Sequence, residues 1–129
     1  MLNIQPLNTQ SLDIQQIIWF GPKFLSEKLY QASPIKYLEL AKTLIRQGSL
    51  FTEDLSQQKI LSKEGYGPAP RAFIICTEDQ ALVLKHQLWM IQNAGIDDIV
   101  EIKGADHMAM LSKPQELCDS LLHIASNCA

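Results

Sequence analysis

The chain has 129 residues, of which 47% are hydrophobic and 19% are charged, and its 11 basic and 14 acidic side chains give a formal net charge of -3. A chain of this length and composition fits one globular domain. Because the charge is mildly acidic and no Lys/Arg cluster is present, nucleic acid and anionic membrane surfaces are disfavoured as partners.

Apolar stretches, the first residues and the cysteines bear on location. The longest apolar stretches, such as Ile14 to Gly21, fall far short of the roughly 20 residues that a membrane-spanning helix needs. Residues 1–16 lack the basic and apolar regions of an export signal. The cysteines are odd in number and show no C-x-x-C spacing: Cys76, Cys118 and Cys128. These features predict a cytoplasmic protein without a disulfide framework or a zinc site.

The start of the chain gives a weak pattern followed by a clear one. Residues 1–16 alternate polar side chains with single Leu and Ile residues, which matches no clean helical or strand period, and they are left unassigned. Apolar residues at helical spacing then follow Gly21-Pro22. This pattern predicts a short helix that ends near Gln31.

A second helix is predicted from Ser33 as its N-cap and Pro34 as its first residue, with one apolar face and an end at Gly48. Residues 50–61 hold scattered apolar side chains among charged ones. This segment is interpreted as a connector with a helical turn, and the glycines and prolines between 65 and 70 then interrupt regular structure.

The second half of the chain alternates strand and helix patterns. The unbroken apolar run 72–76 predicts a strand that is buried on both faces. A helix is predicted over 84–94 with Gly95 as its left-handed end, and a β-branched strand over 99–102. Ser112 is predicted to cap a final amphipathic helix that runs to the chain end.

This order of elements predicts an α/β fold in which two parallel strands are covered by helices. Two strands are few for such a sheet, and the pattern is typical of the end of a larger domain. A strand with an unpaired apolar edge favours association, so a homodimer is one expectation.

Two loops at the carboxyl ends of the predicted strands carry candidate catalytic side chains. Asp79 follows the first strand and His107 follows the second, and adjacent parallel strands bring such loops to one edge of a sheet. A carboxylate there can orient an imidazole that serves as a general base. Asp106 and Glu78 are rivals for the acid role. Each residue taken alone is more often a turn former or a packed side chain.

Other reactive side chains have simpler interpretations. His86 lies on the polar side of a predicted helix and His123 lies on the last helix, and both are interpreted as solvated or packed residues. Cys76 lies within a buried strand and is interpreted as a small apolar residue rather than a nucleophile.

Several stretches resemble one protein family. The stretches are Phe20 to Leu25, Cys76-Thr77-Glu78-Asp79 and, above all, Ile102 to Pro114, which reads IKGADHMAMLSKP. They resemble the plant methylesterases, a family that includes the salicylic acid-binding proteins and lies beside the hydroxynitrile lyases in the α/β-hydrolase superfamily. The resemblance extends from about Trp19 to about Ser126.

The resemblance implies a Ser-His-Asp triad in which Asp79 is the acid and His107 is the base. It implies that Phe20 and Leu50 line an acyl pocket, that no cofactor or metal takes part, and that the partner is a small hydrophobic methyl ester or its acid product. It also divides the chain into three parts, namely a divergent segment 1–18, a partial lid 19–68 and the C-terminal part of an α/β-hydrolase core 69–129.

One departure limits the implied activity. The family's nucleophile lies in a G-x-S-x-G turn, and this pattern occurs nowhere in the sequence. The resemblance therefore implies a hydrolase of methyl salicylate, methyl jasmonate or methyl indole-3-acetate that lacks its serine. The alternative is a non-catalytic binding protein from a shortened gene. A hydroxynitrile lyase is less favoured, because those enzymes place a lysine where this chain has Met108.

Overall fold

The computed structural model of the chain describes residues 2–6, 16–57 and 69–127. The elements before residue 58 are β1 Leu2–Pro6, β2 Gln16–Phe20, α1 Pro22–Phe24 with a π-helical continuation Leu25–Leu29, α2 Ile35–Leu44, β3 Gly48–Ser49 and α3 Thr52–Gln57. The elements after residue 68 are β4 Ala72–Cys76, α4 Leu84–Ala94, β5 Asp98–Ile102, α5 Ala109–Ser112 and α6 Pro114–Asn127.

The first group contains a small antiparallel sheet in the order β1-β2-β3. β1 pairs with β2 along its whole length, with Leu2 opposite Phe20, and β2 also pairs with Gly48 of β3. No strand was predicted before residue 72, so β1, β2 and β3 were all missed. The predicted helix end at Gly48 was also wrong, because α2 ends at Leu44. These short strands depend on partners distant in sequence, and their own residue pattern does not reveal that pairing.

Both predicted serine caps were wrong, for one shared reason. α2 begins at Ile35 after Pro34, which is in an extended conformation and makes no side-chain cap. The Ser33 hydroxyl instead donates to the Asp106 carboxylate. Ser112 lies inside α5, and its hydroxyl oxygen accepts the Asp106 backbone N–H. Hydrogen bonds with Asp106 thus engage both hydroxyls in place of capping, and the Ser112 hydroxyl also donates to the Met108 carbonyl one turn earlier.

The second group confirms the predicted α/β pattern. β4 and β5 are parallel neighbours, and Gly95 ends α4 in the left-handed conformation with φ 60°. β5 begins at Asp98, one residue earlier than predicted. The expected burial of β4 on both faces was wrong, because only Ile75 is buried while the other residues of this strand are half-buried. A sheet of two strands, as described here, leaves much of their surface uncovered.

A small core lies directly beneath the second strand-end loop. Its buried residues are Ile102, Ala105 and Ala109, and Ile74, Cys76 and Leu117 pack against them. This core holds the ends of both parallel strands together and so supports the loops that follow them. Gly65, Gly67 and Pro68, which were predicted to interrupt regular structure, lie outside the described residues. None of the helices in the described ranges is long and apolar enough to cross a membrane.

Candidate active site

Two loops meet at the carboxyl edge of the parallel sheet. The loop after β4 carries Thr77, Glu78 and Asp79, and the loop after β5 runs from Gly104 to His107. The Gly104 N–H donates to the Thr77 hydroxyl over 2.9 Å, and the Glu78 N–H donates to a carbonyl of the second loop over 2.9 Å. Gly104 has φ +75°, which favours glycine at this turn. The two loops therefore form one connected unit.

Asp79 uses its two carboxylate oxygens for different purposes. The side chain is 6% exposed. Oδ1 accepts the backbone N–H groups of Ala81 and Leu82, each over 2.8 Å, while Oδ2 lies 2.8 Å from Nδ1 of His107. The first oxygen thus anchors the carboxylate in its turn, and the second faces the imidazole ring.

His107 is held at one ring nitrogen. A buried carboxylate is an acceptor, so Nδ1 donates its proton to Asp79, and in the neutral ring Nε2 is the nitrogen that has the lone pair. The His107 side chain remains 40% exposed, in contrast to Asp79. The pair therefore has the arrangement of a general base with an orienting acid.

The rival acids are directed elsewhere. Asp106 is fully buried, but its carboxylate accepts hydrogen bonds from the backbone N–H groups of Ala32 and Met108 and from the Ser33 hydroxyl. Glu78 is exposed. Of the three acids named from the sequence, Asp79 is the one whose carboxylate contacts the His107 ring.

The Gln87 side chain bonds backbone groups on both sides of the loop that carries Asp79. The sequence interpretation did not identify it. Its side chain is 2% exposed. Its Oε1 accepts the Cys76 N–H over 3.0 Å, and its Nε2 donates to the carbonyls of Cys76 and Leu82 over 2.9 and 2.8 Å. The available signal was its place one helical turn before the buried Ile91, where a buried glutamine needs polar partners.

Cys76 is the last residue of β4 and packs against the small core. Burial, followed by the negative charges of Asp79 and Asp106, raises the pKa of the Cys76 thiol. Loss of its proton is therefore disfavoured, and the geometry agrees with the interpretation of Cys76 as a packing residue rather than a nucleophile.

The two predicted pocket residues lie apart. Phe20 is the last residue of β2 and stacks on Phe24, with ring centroids 5.4 Å apart. Leu50 directly follows β3 and lies near the first residues of β2, at the opposite end of that strand. Their pocket-lining role stays a prediction. An apolar cavity of about 460 Å³ lies instead between α2 and α5, and its lining residues are Tyr30, Tyr37, Leu40, Ala41, Leu44, Ile45 and Leu111. In the part of the chain that the structure describes, no group of three His, Cys, Asp or Glu side chains could hold a metal ion.

Curated plant proteins resemble most of the chain. Norfluorocurarine synthase 2 of Strychnos nux-vomica is 53% identical over 109 residues, or 84% of this chain and 41% of its own length. Salicylic acid-binding protein 2 of Nicotiana tabacum is 52% identical over 84% of this chain and 42% of its own length. Methylesterase 1 and an alpha-hydroxynitrile lyase of Arabidopsis thaliana are 48% and 50% identical, covering 84% and 86% of this chain and 41% and 43% of their own lengths. The chain thus spans about two fifths of these relatives.

Solved structures give the same picture for the fold, although no family model matches the chain. The crystal structure of polyneuridine aldehyde esterase superposes with a TM-score of 0.90 and 40% identity, over 96% of this chain and 48% of that protein. Tomato methylketone synthase I complexed with 2-tridecanone superposes with a TM-score of 0.86 and 37% identity, over 99% of this chain and 50% of that protein. The described elements therefore keep the arrangement found in half of an α/β-hydrolase.

Proposed function

Because the chain belongs to the plant methylesterase family of α/β-hydrolases, we propose that it carries the base and the acid of a carboxylic-ester hydrolase. His107 is the base and Asp79 is the acid that orients it. The observation that carries the proposal is the 2.8 Å contact between His107 Nδ1 and the buried Asp79 carboxylate. This contact leaves Nε2 to exchange a proton with a nucleophile.

Ester hydrolysis by this mechanism needs a nucleophilic serine hydroxyl, and these 129 residues contain no G-x-S-x-G turn to supply it. In the proposed reaction a serine from the part of the family fold that the chain does not span attacks the ester carbonyl. His107 Nε2 takes the serine proton and delivers it to the departing methoxide, which leaves as methanol. Water, deprotonated by His107, then attacks the carbonyl of the acyl-serine, and His107 returns this proton to the serine oxygen as the acid product leaves. Asp79 stabilises the imidazolium in both steps.

The proposed substrates are small hydrophobic methyl esters, of which the methyl esters of salicylate, jasmonate and indole-3-acetate are the candidates. Salicylic acid is named in one relative, and an apolar methyl ketone occupies one structural neighbour. Phe20 and Leu50 are proposed to line the acyl pocket from the lid. The odd cysteine count without C-x-x-C spacing supports a reducing, cytoplasmic location.

A second candidate function is binding of the hydrophobic acid or of a protein partner without catalysis. This candidate applies to the 129 residues taken alone, which contain no G-x-S-x-G turn. A lyase activity has less support, although a relative is an alpha-hydroxynitrile lyase, because Met108 occupies the position after the histidine and carries no charge for a cyanide leaving group.

The isolated chain is expected not to hydrolyse p-nitrophenyl acetate or methyl salicylate above a His107→Ala control. A base and an acid without the nucleophilic serine of the G-x-S-x-G turn have no acyl acceptor. The matched experiment is a joined protein, in which the part of methylesterase 1 that this chain does not match is placed ahead of Trp19. We expect it to hydrolyse both esters in a His107-dependent manner. Turnover by the isolated chain that His107→Ala removes would contradict the expectation, and an inactive but folded joined protein would favour the binding function.

Self-association of the isolated chain is also expected, with a homodimer as the simplest product. β4 has a strand neighbour on one side within the described residues, and α4 exposes large apolar side chains, namely Leu84, Leu88 and Trp89. Such surfaces favour association. Light scattering should give an average mass above that of a single chain. Trp89→Lys should lower this mass more than Gln92→Lys on the same helix. A clean monomer at high concentration with cooperative unfolding would contradict this prediction.

A further inference from the structure

We propose that residues 31–33, which lie between the π-helical turn and α2, position both catalytic loops. These three residues and Asp106 are together called the clamp. The proposal rests on the function proposed above and adds positioning residues to it. The clamp has two anchors, one on the loop that carries His107 and one on the loop that carries Asp79. Consecutive residues of a single short segment supply both.

The first anchor is the carboxylate of Asp106. Its Oδ2 accepts the Ala32 N–H over 3.0 Å and the Ser33 hydroxyl over 2.8 Å. Its Oδ1 accepts the Met108 N–H over 2.9 Å. Because residues 106 and 108 flank His107, this last bond closes a turn with the histidine at its centre. A single buried side chain therefore ties the 31–33 segment to the backbone on both sides of His107.

The second anchor lies one residue earlier in the segment. The Gln31 side-chain amide donates to the Glu78 carbonyl, and Glu78 directly precedes Asp79. Gln31 is exposed, so water competes for this bond. The 31–33 segment thus contacts the acid loop and the base loop at the same time, which a residue that only stabilises one turn would not do.

The geometry of the clamp depends on the groups that donate hydrogen bonds to the Asp106 carboxylate. Asp106 is fully buried, and the ion pairs found among the described residues do not include it. Its charge is therefore stabilised by hydrogen-bond donors without a positively charged partner. Removal of one donor leaves part of a buried charge uncompensated, and this costs more than the loss of an ordinary hydrogen bond. Movement of residues 31–33 is therefore transmitted to the His107 loop.

The test uses the full 129-residue chain and two mild substitutions, because a change of Asp106 itself would also lower the stability of the fold. Ser33→Ala removes one donor of the first anchor, and Gln31→Leu removes the second anchor. Ser26→Ala is the matched serine control, since the Ser26 hydroxyl donates to a carbonyl of its own helical turn. Gln47→Leu is the matched control for an exposed glutamine.

The readout is NMR of the labelled chain, in which exchange with water is followed for the His107 Nδ1 proton and for the Met108 amide. We expect Ser33→Ala and Gln31→Leu to speed exchange of the ring proton by about 10-fold, and Ser33→Ala to speed the Met108 amide similarly. The two controls should leave both rates unchanged. Ile91→Val, which lowers stability from a buried site on α4, should also leave the ring proton unchanged and so separates positioning from general destabilisation.

Asp79→Asn in the same chain distinguishes the two proposals. If Asp79→Asn alters the ring proton while Ser33→Ala and Gln31→Leu leave its exchange unchanged, the clamp is wrong and the proposed acid–base pair stands. If Asp79→Asn leaves the ring proton unchanged, the proposed pair is wrong and the clamp is overturned with it. Equal acceleration by Ile91→Val would also overturn the clamp.

Discussion

In the joined protein, Asp79→Asn is expected to lower turnover by up to about 10⁴-fold while the fold stays intact. The asparagine oxygen can still accept the Ala81 and Leu82 N–H groups that Oδ1 accepts now. Its amide group would then face Nδ1 of His107 as a donor. The ring would adopt the other tautomer, in which Nε2 carries a proton and cannot act as a base.

Steady-state rates, corrected for the folded fraction, measure this effect. Asp106→Asn is expected to reduce turnover far less, because its carboxylate contacts backbone groups and a hydroxyl rather than the ring. Asp97→Asn, at an exposed position, is the control. If Asp79 only formed a turn, its substitution would cost about 1 kcal/mol of stability with turnover nearly unchanged. A larger loss with Asp106→Asn than with Asp79→Asn would show that the acid is misassigned.

Asp106→Leu is expected to destabilise the chain by about 3–5 kcal/mol, the largest effect on stability that we predict for a single substitution. The leucine has a similar volume but accepts no hydrogen bond. The N–H groups of Ala32 and Met108 and the Ser33 hydroxyl would lose their shared partner at a fully buried position. A loss of this size is a large part of the stability of a small domain.

Urea unfolding of the isolated chain and of the joined protein measures this loss. Asp97→Leu introduces the same residue at an exposed position and should change the free energy of unfolding by less than about 0.5 kcal/mol. A loss below about 1 kcal/mol for Asp106→Leu would mean that water or other groups replace the carboxylate, and that Asp106 does not hold the two segments together.

The sequence alone determined the features that depend on local pattern. The apolar run 72–76 and the β-branched run ending at Ile102 predicted two parallel strands, because residue type and spacing reveal a strand between glycine-rich turns. Gly95 predicted the end of α4 for the same local reason. Asp79 and His107 could be named because adjacent parallel strands must deliver their following loops to one edge. The stretch around His107 also carried the family resemblance.

Only the tertiary structure decided which polar groups meet. Three acids near the strand ends were chemically equivalent in the sequence, and packing placed Asp79 against the histidine ring and directed Asp106 toward Ser33. Gln87 gave no strong local pattern, yet it satisfies the Cys76 backbone. A buried donor or acceptor must find a partner wherever the fold supplies one, and such partners lie 11 to 74 residues away along this chain.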